Sequence, residues 1–178
     1  MFVACQYGHL EVAQWLFDHG AAEDVRKATN GGFTPMSVAC QDGHLKVSQW
    51  LFDHGAAEDV RKANNDGITP MLIACKQGRL EVAKWLFDHG AVEDVRKADN
   101  DCFTPMFLSC FDGHLKIVQW LFDHGAAEDV RTENDDGFTP MFVACQYGHL
   151  EVAQWLFDNG AVEDVQKASN DGTTPMFV

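Results

Sequence analysis

Cysteine and histidine recur four residues apart in this chain, as Cys5/His9, Cys40/His44, Cys110/His114 and Cys145/His149. On one face of a helix, a thiolate and an imidazole at that spacing could hold zinc or copper. A glycine stands just before each of these histidines, which predicts that the helix ends between the two ligands; another copy reads Cys75/Arg79. The sequence holds no Cys-x-x-Cys and no His-x-x-x-His pair. We therefore expect no metal and no cofactor: the cysteine fills a small core slot, and the histidine opens a second helix. A second series, His19, His54, His89 and His124, precedes a glycine, with Asn159 in the fifth copy. There a cation is favoured by the helix dipole. The functional alternative is a pH-sensitive surface, because eight histidines could offset up to eight of the −14 charges in acid. Gly-rich phosphate loops, nucleophile elbows and paired catalytic carboxylates are lacking. Catalysis needs unlike residues converging on one pocket, and near-identical copies supply the same residues repeatedly. No enzyme activity and no catalytic residue are expected.

The elements that position these residues repeat every 35 residues: Met1, Met36, Met71, Met106, Met141 and Met176 are equally spaced, as are Trp15, Trp50, Trp85, Trp120 and Trp155. The first 18 residues recur unchanged at 141–158. A fixed period of that length marks a repeat array, in which stacked units share one core. Four whole units span 34–68, 69–103, 104–138 and 139–173, with a partial unit at 1–33 and a stub at 174–178. Because the chain begins and ends in mid-unit, we expect a piece of a longer array, with capping repeats and any catalytic domain outside it. Core residues at the ends, such as Val3, Phe177 and Val178, would then permit self-association of an otherwise monomeric chain.

Within the unit 34–68, Thr34-Pro35 reads as a helix start. A short helix Met36–Asp42 should stop at Gly43, and a second should run from about Leu45 to His54 and stop at Gly55. Leu45, Val47, Trp50, Leu51 and Phe52 are spaced for one wide buried face. The five tryptophans are expected in packing between units rather than as a ligand ladder. The segment AAEDVRKA favours another helical turn, with Glu58 and Lys62 paired at i,i+4. Asn65-Asp66-Gly67 favours a tight turn with positive φ. The Glu-Asp steps, as at 58–59 and 128–129, read as solvated surface, or else as an acidic edge for a basic partner.

These motifs resemble the ankyrin repeat. The family pattern of Gly-x-Thr-Pro-Leu-His-x-Ala, then Gly-His, then an apolar helix ending in Gly-Ala, stands here as GITPMLIAC, QDGHL and WLFDHGA. The resemblance implies a mainly α solenoid of stacked helix-turn-helix units with short hairpin or loop fingers. The departures are a unit of 35 residues against about 33, and the replacement of the family histidine by Phe2, Ser37, Leu72, Phe107, Phe142 and Phe177. We expect apolar packing to substitute for that histidine's hydrogen bonds. Cys102 stands where other fingers have Gly32, Gly67, Gly137 and Gly172. If that site needs positive φ, it costs about 1 kcal/mol, and the third finger should be distorted or more mobile.

Acids outnumber bases 27 to 13. That opposes nucleic acid and anionic lipid and permits a basic protein partner. No stretch is apolar enough for a membrane span. Five cysteines share one register, about a repeat thickness apart and too far to bridge. Reduced thiols and an intracellular home, cytoplasmic or nuclear, follow as expectations.

Differences between copies point to binding positions. The C-terminal end of the first helix varies as Gln6-Tyr7, Gln41-Asp42, Lys76-Gln77, Phe111-Asp112 and Gln146-Tyr147. The residue before Thr-Pro varies as Phe33, Ile68, Phe103, Phe138 and Thr173, and the finger residue as Thr29, Asn64, Asp99, Asn134 and Ser169. In ankyrin relatives these places face the groove and the fingers. The partner-binding candidates are Tyr7, Asp42, Gln77, Phe111, Asp112 and Tyr147, with Phe33, Ile68, Phe103 and Phe138 beside them. The expected function is a non-catalytic scaffold that binds a protein; the alternative is a spacer or regulatory segment of a larger protein.

Overall fold

Each Thr-Pro step starts a helix in the computed structural model, which describes the backbone of residues 1–177. The expectations placed on the Phe177 side chain and on Val178 lie outside the described residues. Thr34 Oγ1 accepts from Ser37 N–H at 3.1 Å, and Thr69, Thr104 and Thr139 do the same for Leu72, Phe107 and Phe142. All four threonines are buried, so this cap replaces water for an orphan helix N–H and is worth about 1 kcal/mol each.

The chain divides into two compact units, Met1–Asp94 and Val95–Val178. The first unit holds three helix pairs: α1 (Phe2–Gln6) with α2 (Leu10–Leu16), α3 (Pro35–Asp42) with α4 (Leu45–Leu51), and α5 (Pro70–Lys76) with α6 (Leu80–Asp88). First helices stack on first helices and second on second, α1 on α3 on α5 and α2 on α4 on α6. The second unit holds α7 (Pro105–Phe111) with α8 (Leu115–Leu121) and α9 (Pro140–Gln146) with α10 (Leu150–Asp158), stacked in the same way. Among the described residues no strand occurs, and no helix is long and apolar enough to cross a membrane. The fold is an all-helical array of paired helices stacked in repeats.

Two columns make the core. Met36, Met71, Met106 and Met141 on the first helices and Leu51, Leu86, Leu121 and Leu156 on the second are essentially inaccessible. Burying each such side chain contributes about 1.5–3 kcal/mol. The expected wide face of the second helix is only partly realised: Val47 and Leu51 are buried, whereas Leu45, Trp50 and Phe52 are half-buried at the junctions. The helix stops at the expected glycine. His54 leaves helical geometry, Gly55 takes φ 103°, and in the third repeat Ala91 N–H reaches back five residues to Leu86 O at 3.0 Å.

The segment read as a further helical turn is a tight 3₁₀ turn, Ala57–Arg61 and Ala127–Arg131 being examples. The expected Glu58–Lys62 pair does not form; Glu58 goes to Arg26 of the preceding repeat, and Lys62 lies 4.0 Å from Asp59. The reason is geometric: a 3₁₀ turn brings i and i+3 together, not i and i+4.

Candidate functional site

The variable pairs of the sequence share one structural register, the C-terminal end of a first helix. Tyr7, Gln77, Asp112 and Tyr147 follow the last residue of α1, α5, α7 and α9, and Asp42 ends α3. Tyr7 is 63% exposed and Tyr147 49%. In the second unit the Phe111 and Tyr147 rings meet at 4.2 Å between centroids, tilted by 47°. In the first unit Tyr7 stacks beside His9, while Asp42 is half-buried and Gln77 exposed. The structure thus brings two of the candidates into one aromatic pair.

The residues before Thr-Pro have a different setting. Phe103 and Phe138 lie against Phe107 and Phe142 at 5.3 and 4.5 Å, and all four pre-Thr-Pro candidates, Phe33 and Ile68 included, are half-buried. Phe107, Phe142 and Leu72 are buried, so apolar packing does replace the family histidine in those copies. Ser37 is different, because its Oγ accepts from Thr34 N–H at 2.9 Å and restores a polar lock.

The variable finger residues fasten their own turns. Asn64 and Asn134 are buried, and each carbonyl oxygen accepts from two N–H groups across the turn, those of Asp66 and Ile68 or of Asp136 and Phe138. Asp99 does the same for Asp101 and Phe103, and Thr29 accepts from Phe33. What is common to these side chains is an acceptor oxygen that fastens the turn.

Cys102 has φ 63°, in the column where Gly32, Gly67, Gly137 and Gly172 have φ 79–87°. The expected distortion is absent, because Cys102 N–H still donates to Asp99 O and Asp99 N–H to Phe103 O, both at 3.2 Å. A neighbouring change accommodates the side chain. Gly32 and Gly137 lie so close to Asn65 and Asn170 that an added Cβ would come within 2.8 Å of either asparagine's Oδ1. Next to Cys102 that column holds Asp135, which accepts from the thiol and raises its pKa.

The cysteines beside the histidines are core groups. Cys5, Cys40, Cys75 and Cys110 are buried, and Cys75 Sγ lies 3.9 Å from Met71 Sδ. Burial pushes the Cys5 thiol up to about 11 and Cys40 up to about 12, so neither supplies a thiolate near neutrality. At this position the side chain can reach the preceding repeat instead. His149 Nε2 donates to Phe111 O at 2.9 Å, and Arg79 Nε donates to Gln41 O at 3.2 Å. Arginine replaces histidine there because the position supplies an N–H donor.

The other histidines also cap. His19, His54, His89 and His124 each donate from Nδ1 to the tryptophan carbonyl four residues back at 2.7 Å. Asn159 makes the same bond to Trp155 O at 2.8 Å without any charge. The N–H, rather than a cation, is the shared feature.

One system escaped the sequence reading. Arg26 donates to Glu58 at 2.8 Å and to Asp59 at 3.3 Å, a repeat away. Arg61 holds Glu93 and Asp94 in the same unit, and Arg96 and Arg131 hold Glu128–Asp129 and Glu163–Asp164 in the second. The glutamates are exposed, but the aspartate side chains are at most 3% exposed. The solvated-surface reading thus fails for these aspartates, whereas their glutamates and Glu23 remain exposed. The buried Oδ2 of Asp59, Asp129 and Asp164 has no hydrogen-bond partner. Burial raises the pKa of Asp59 and Asp129, against the pull of the nearby cations. The same arginines face the same acids in every copy up to Gln166, which takes the arginine's place.

Beside this system, Gln49, Phe52, Asp53, Trp85 and His89 line an open hollow of about 300 Å³. Phe52 meets Trp85 edge-on there, with centroids 5.6 Å apart. Among the described residues no group of three or more His, Cys, Asp or Glu is placed to hold a metal.

No curated protein matches the sequence. Two family descriptions do: ankyrin repeats (3 copies), over residues 1–62 and 57–132, and ankyrin repeats (many copies), over 109–157. With the capped Thr-Pro helices, the glycine-ended second helices and the fingers all in place, this chain belongs to the ankyrin-repeat family.

Proposed function

We propose that this chain is a non-catalytic protein-interaction module that reads its partner with the C-terminal ends of the first helices and the adjoining finger sides. Ankyrin repeats generally bind proteins, and the observation that carries the finer reading is the Phe111–Tyr147 pair. Two large rings lie together, part-exposed, on a two-residue register where the second and third copies carry only Gln, Lys or Asp and the first carries Tyr7. Such rings are effective anchors because they bury much area at little entropic cost. Asp42 and Asp112 support the same reading. Each places a negative charge at a helix C-terminus, where the dipole opposes it by about 0.3–1 kcal/mol. Local stability does not account for them, whereas a basic partner does. With the −14 net charge, a basic protein inside the cell is the partner class that fits best.

The test is capture from lysate by the wild-type chain and by a Tyr7→Ala, Phe111→Ala, Tyr147→Ala variant, with folding matched by circular dichroism. Proteins held by the wild type and lost by the variant are expected. Identical catches would place binding elsewhere, and no catch would favour a spacer.

A further inference from the structure

Two of the seven asparagines precede a glycine, at Asn30–Gly31 and Asn159–Gly160. Such a step can react with itself, because a residue without a Cβ leaves its backbone nitrogen open to the preceding side chain. The two steps are held differently. Asn159 Nδ2 donates to Trp155 O at 2.8 Å, which ties that side chain to its own helix end. Asn30 and Gly31 lie at the tip of the first finger, and both are exposed.

The first finger also lacks a bond that the next three possess. The N–H groups of Asp66, Asp101 and Asp136 donate to the Oδ1 atoms of Asn64, Asp99 and Asn134, at 3.0, 3.1 and 3.2 Å. Gly31 holds the same place in the first finger. There Thr29 replaces the Asn or Asp, and its Oγ1 accepts from Phe33 N–H at 3.2 Å. Among the described residues no acceptor takes the Gly31 N–H. Two glycines that follow an aspartate are engaged, by contrast: Gly67 N–H donates to Asn64 O at 3.1 Å and Gly137 N–H to Asn134 O at 3.0 Å. The Asn30–Gly31 step thus combines an open nitrogen, an exposed carboxamide and a turn that does not fasten the nitrogen.

We propose that Asn30 is a self-modification site, at which the first finger converts its own asparagine to aspartate and isoaspartate. Gly31 N bonds to Asn30 Cγ and the Cγ–Nδ2 bond breaks. The amide nitrogen leaves as ammonia, carrying the proton that Gly31 N gives up. Water then opens the cyclic imide. Cleavage between the nitrogen and Cγ leaves aspartate. Cleavage between the nitrogen and the backbone carbonyl carbon leaves isoaspartate, with the chain now running through the former side chain. Water is the only co-reactant, and nothing is oxidised or reduced. The consequence falls on the second finger, because Asn30 O and Gly31 O accept from Asn65 Nδ2 and Asn65 N–H at 2.9 and 3.1 Å. In isoaspartate the Asn30 carbonyl becomes a free carboxylate and the chain gains one carbon. Neither carbonyl then keeps its register with Asn65, and a new negative charge stands in the finger that carries Phe33.

The test is to age the full chain at mildly alkaline pH, where the attacking nitrogen loses its proton more readily, and to follow each asparagine by peptide mapping and mass spectrometry. Asn30 should convert faster than Asn159 and faster than the asparagines that precede aspartate. Thr29→Asn restores the acceptor that Asn64 provides in the second finger. It should slow conversion about fivefold, the rate equivalent of one hydrogen bond on the Gly31 N–H. Gly31→Ala should slow it further by shielding the nitrogen. The fold accommodates that change, because Gly31 is not left-handed and an added Cβ would lie 3.4 Å from the Phe33 ring. In the aged chain Asn65 N–H should exchange with solvent faster than in the fresh one. An intact Asn30, equal rates at Asn30 and Asn159, or an unchanged rate in Thr29→Asn would overturn the assignment. The readout is a mass and not a captured partner, so failure here leaves the recognition reading untouched.

Discussion

The two sides of a repeat vary in opposite ways. On the second-helix side every copy carries the same Trp-Leu-Phe-Asp step, the same helix-ending glycine and the same Glu-Asp pair. At the C-terminal end of the first helix the residues change in charge, size and aromaticity from copy to copy. The constant side holds junctions: Trp85 is 9% exposed, wedged edge-on by Phe52 and stacked on His89. The variable register joins repeats as well, but through backbone carbonyls such as Gln41 O and Phe111 O, which any side chain supplies, and through one ring pair, Phe111–Tyr147. Copies of one chain share their folding task, so constancy marks what stacking requires and variation marks what it leaves free. On the proposed reading, recognition is drawn from that freedom.

The largest expected effect lies on the constant side. Trp85→Ala should destabilise the chain by about 3 kcal/mol in urea unfolding, while Tyr147→Ala, which gives up one part-exposed ring contact with Phe111, should cost about 1 kcal/mol; equal losses would erase the contrast. The finger column gives a smaller effect. Cys102→Gly removes a Cβ from a positive-φ site, a strain of about 1 kcal/mol, but loses the thiol bond to Asp135. A net gain of about 0.5 kcal/mol is expected, and adding Asp135→Asn should couple favourably with it, by about 0.5 kcal/mol or more in a double-mutant cycle. Strict additivity would show that the two columns do not act together.

The buried acids make a pH-dependent difference. Burial lifts the folded pKa of Asp129 above its ordinary value, and Arg96 offsets this only in part. The folded state therefore binds that proton more readily than the unfolded chain. Its stabilising contribution is present below about pH 3.9 and is lost as pH rises through the folded value. Wild type should thus gain stability relative to Asp129→Asn on acidification from about pH 7 toward 4, and parallel pH profiles would reject the assignment. The smallest effect is at the helix caps. His54→Asn should cost no more than about 0.5 kcal/mol, because Asn159 already makes that bond, whereas His54→Leu should cost about 1 kcal/mol.

The helices, their Thr-Pro starts and their glycine stops were legible because each depends on residues a few positions apart. Tyr7 and Tyr147 stood out for the same reason, as large rings next to a helix-ending glycine. The arginine–aspartate junction was not legible. Arg26 and Asp59 are 33 residues apart, inside a segment whose local composition suggests an ordinary helical turn, so Glu58 and Lys62 looked like the natural pair. A usable signal did exist: an aspartate kept in all five copies and an arginine kept in four of them, on what otherwise reads as solvent-facing surface. The finger residues misled for the converse reason. Thr29, Asn64, Asp99 and Asn134 differ in type but share an acceptor oxygen that fastens the turn, and in the last finger Ser169 donates to Asp171, which takes over as acceptor.

The most direct measurement places a photo-crosslinking side chain at Tyr147, on the variable side, and separately at Asp123, exposed on the constant side, and irradiates each chain in lysate. The account predicts a discrete protein adduct at Tyr147 and none at Asp123. Adducts at Asp123 alone, or at neither position, would contradict the claim that this molecule reads its partner with its variable side.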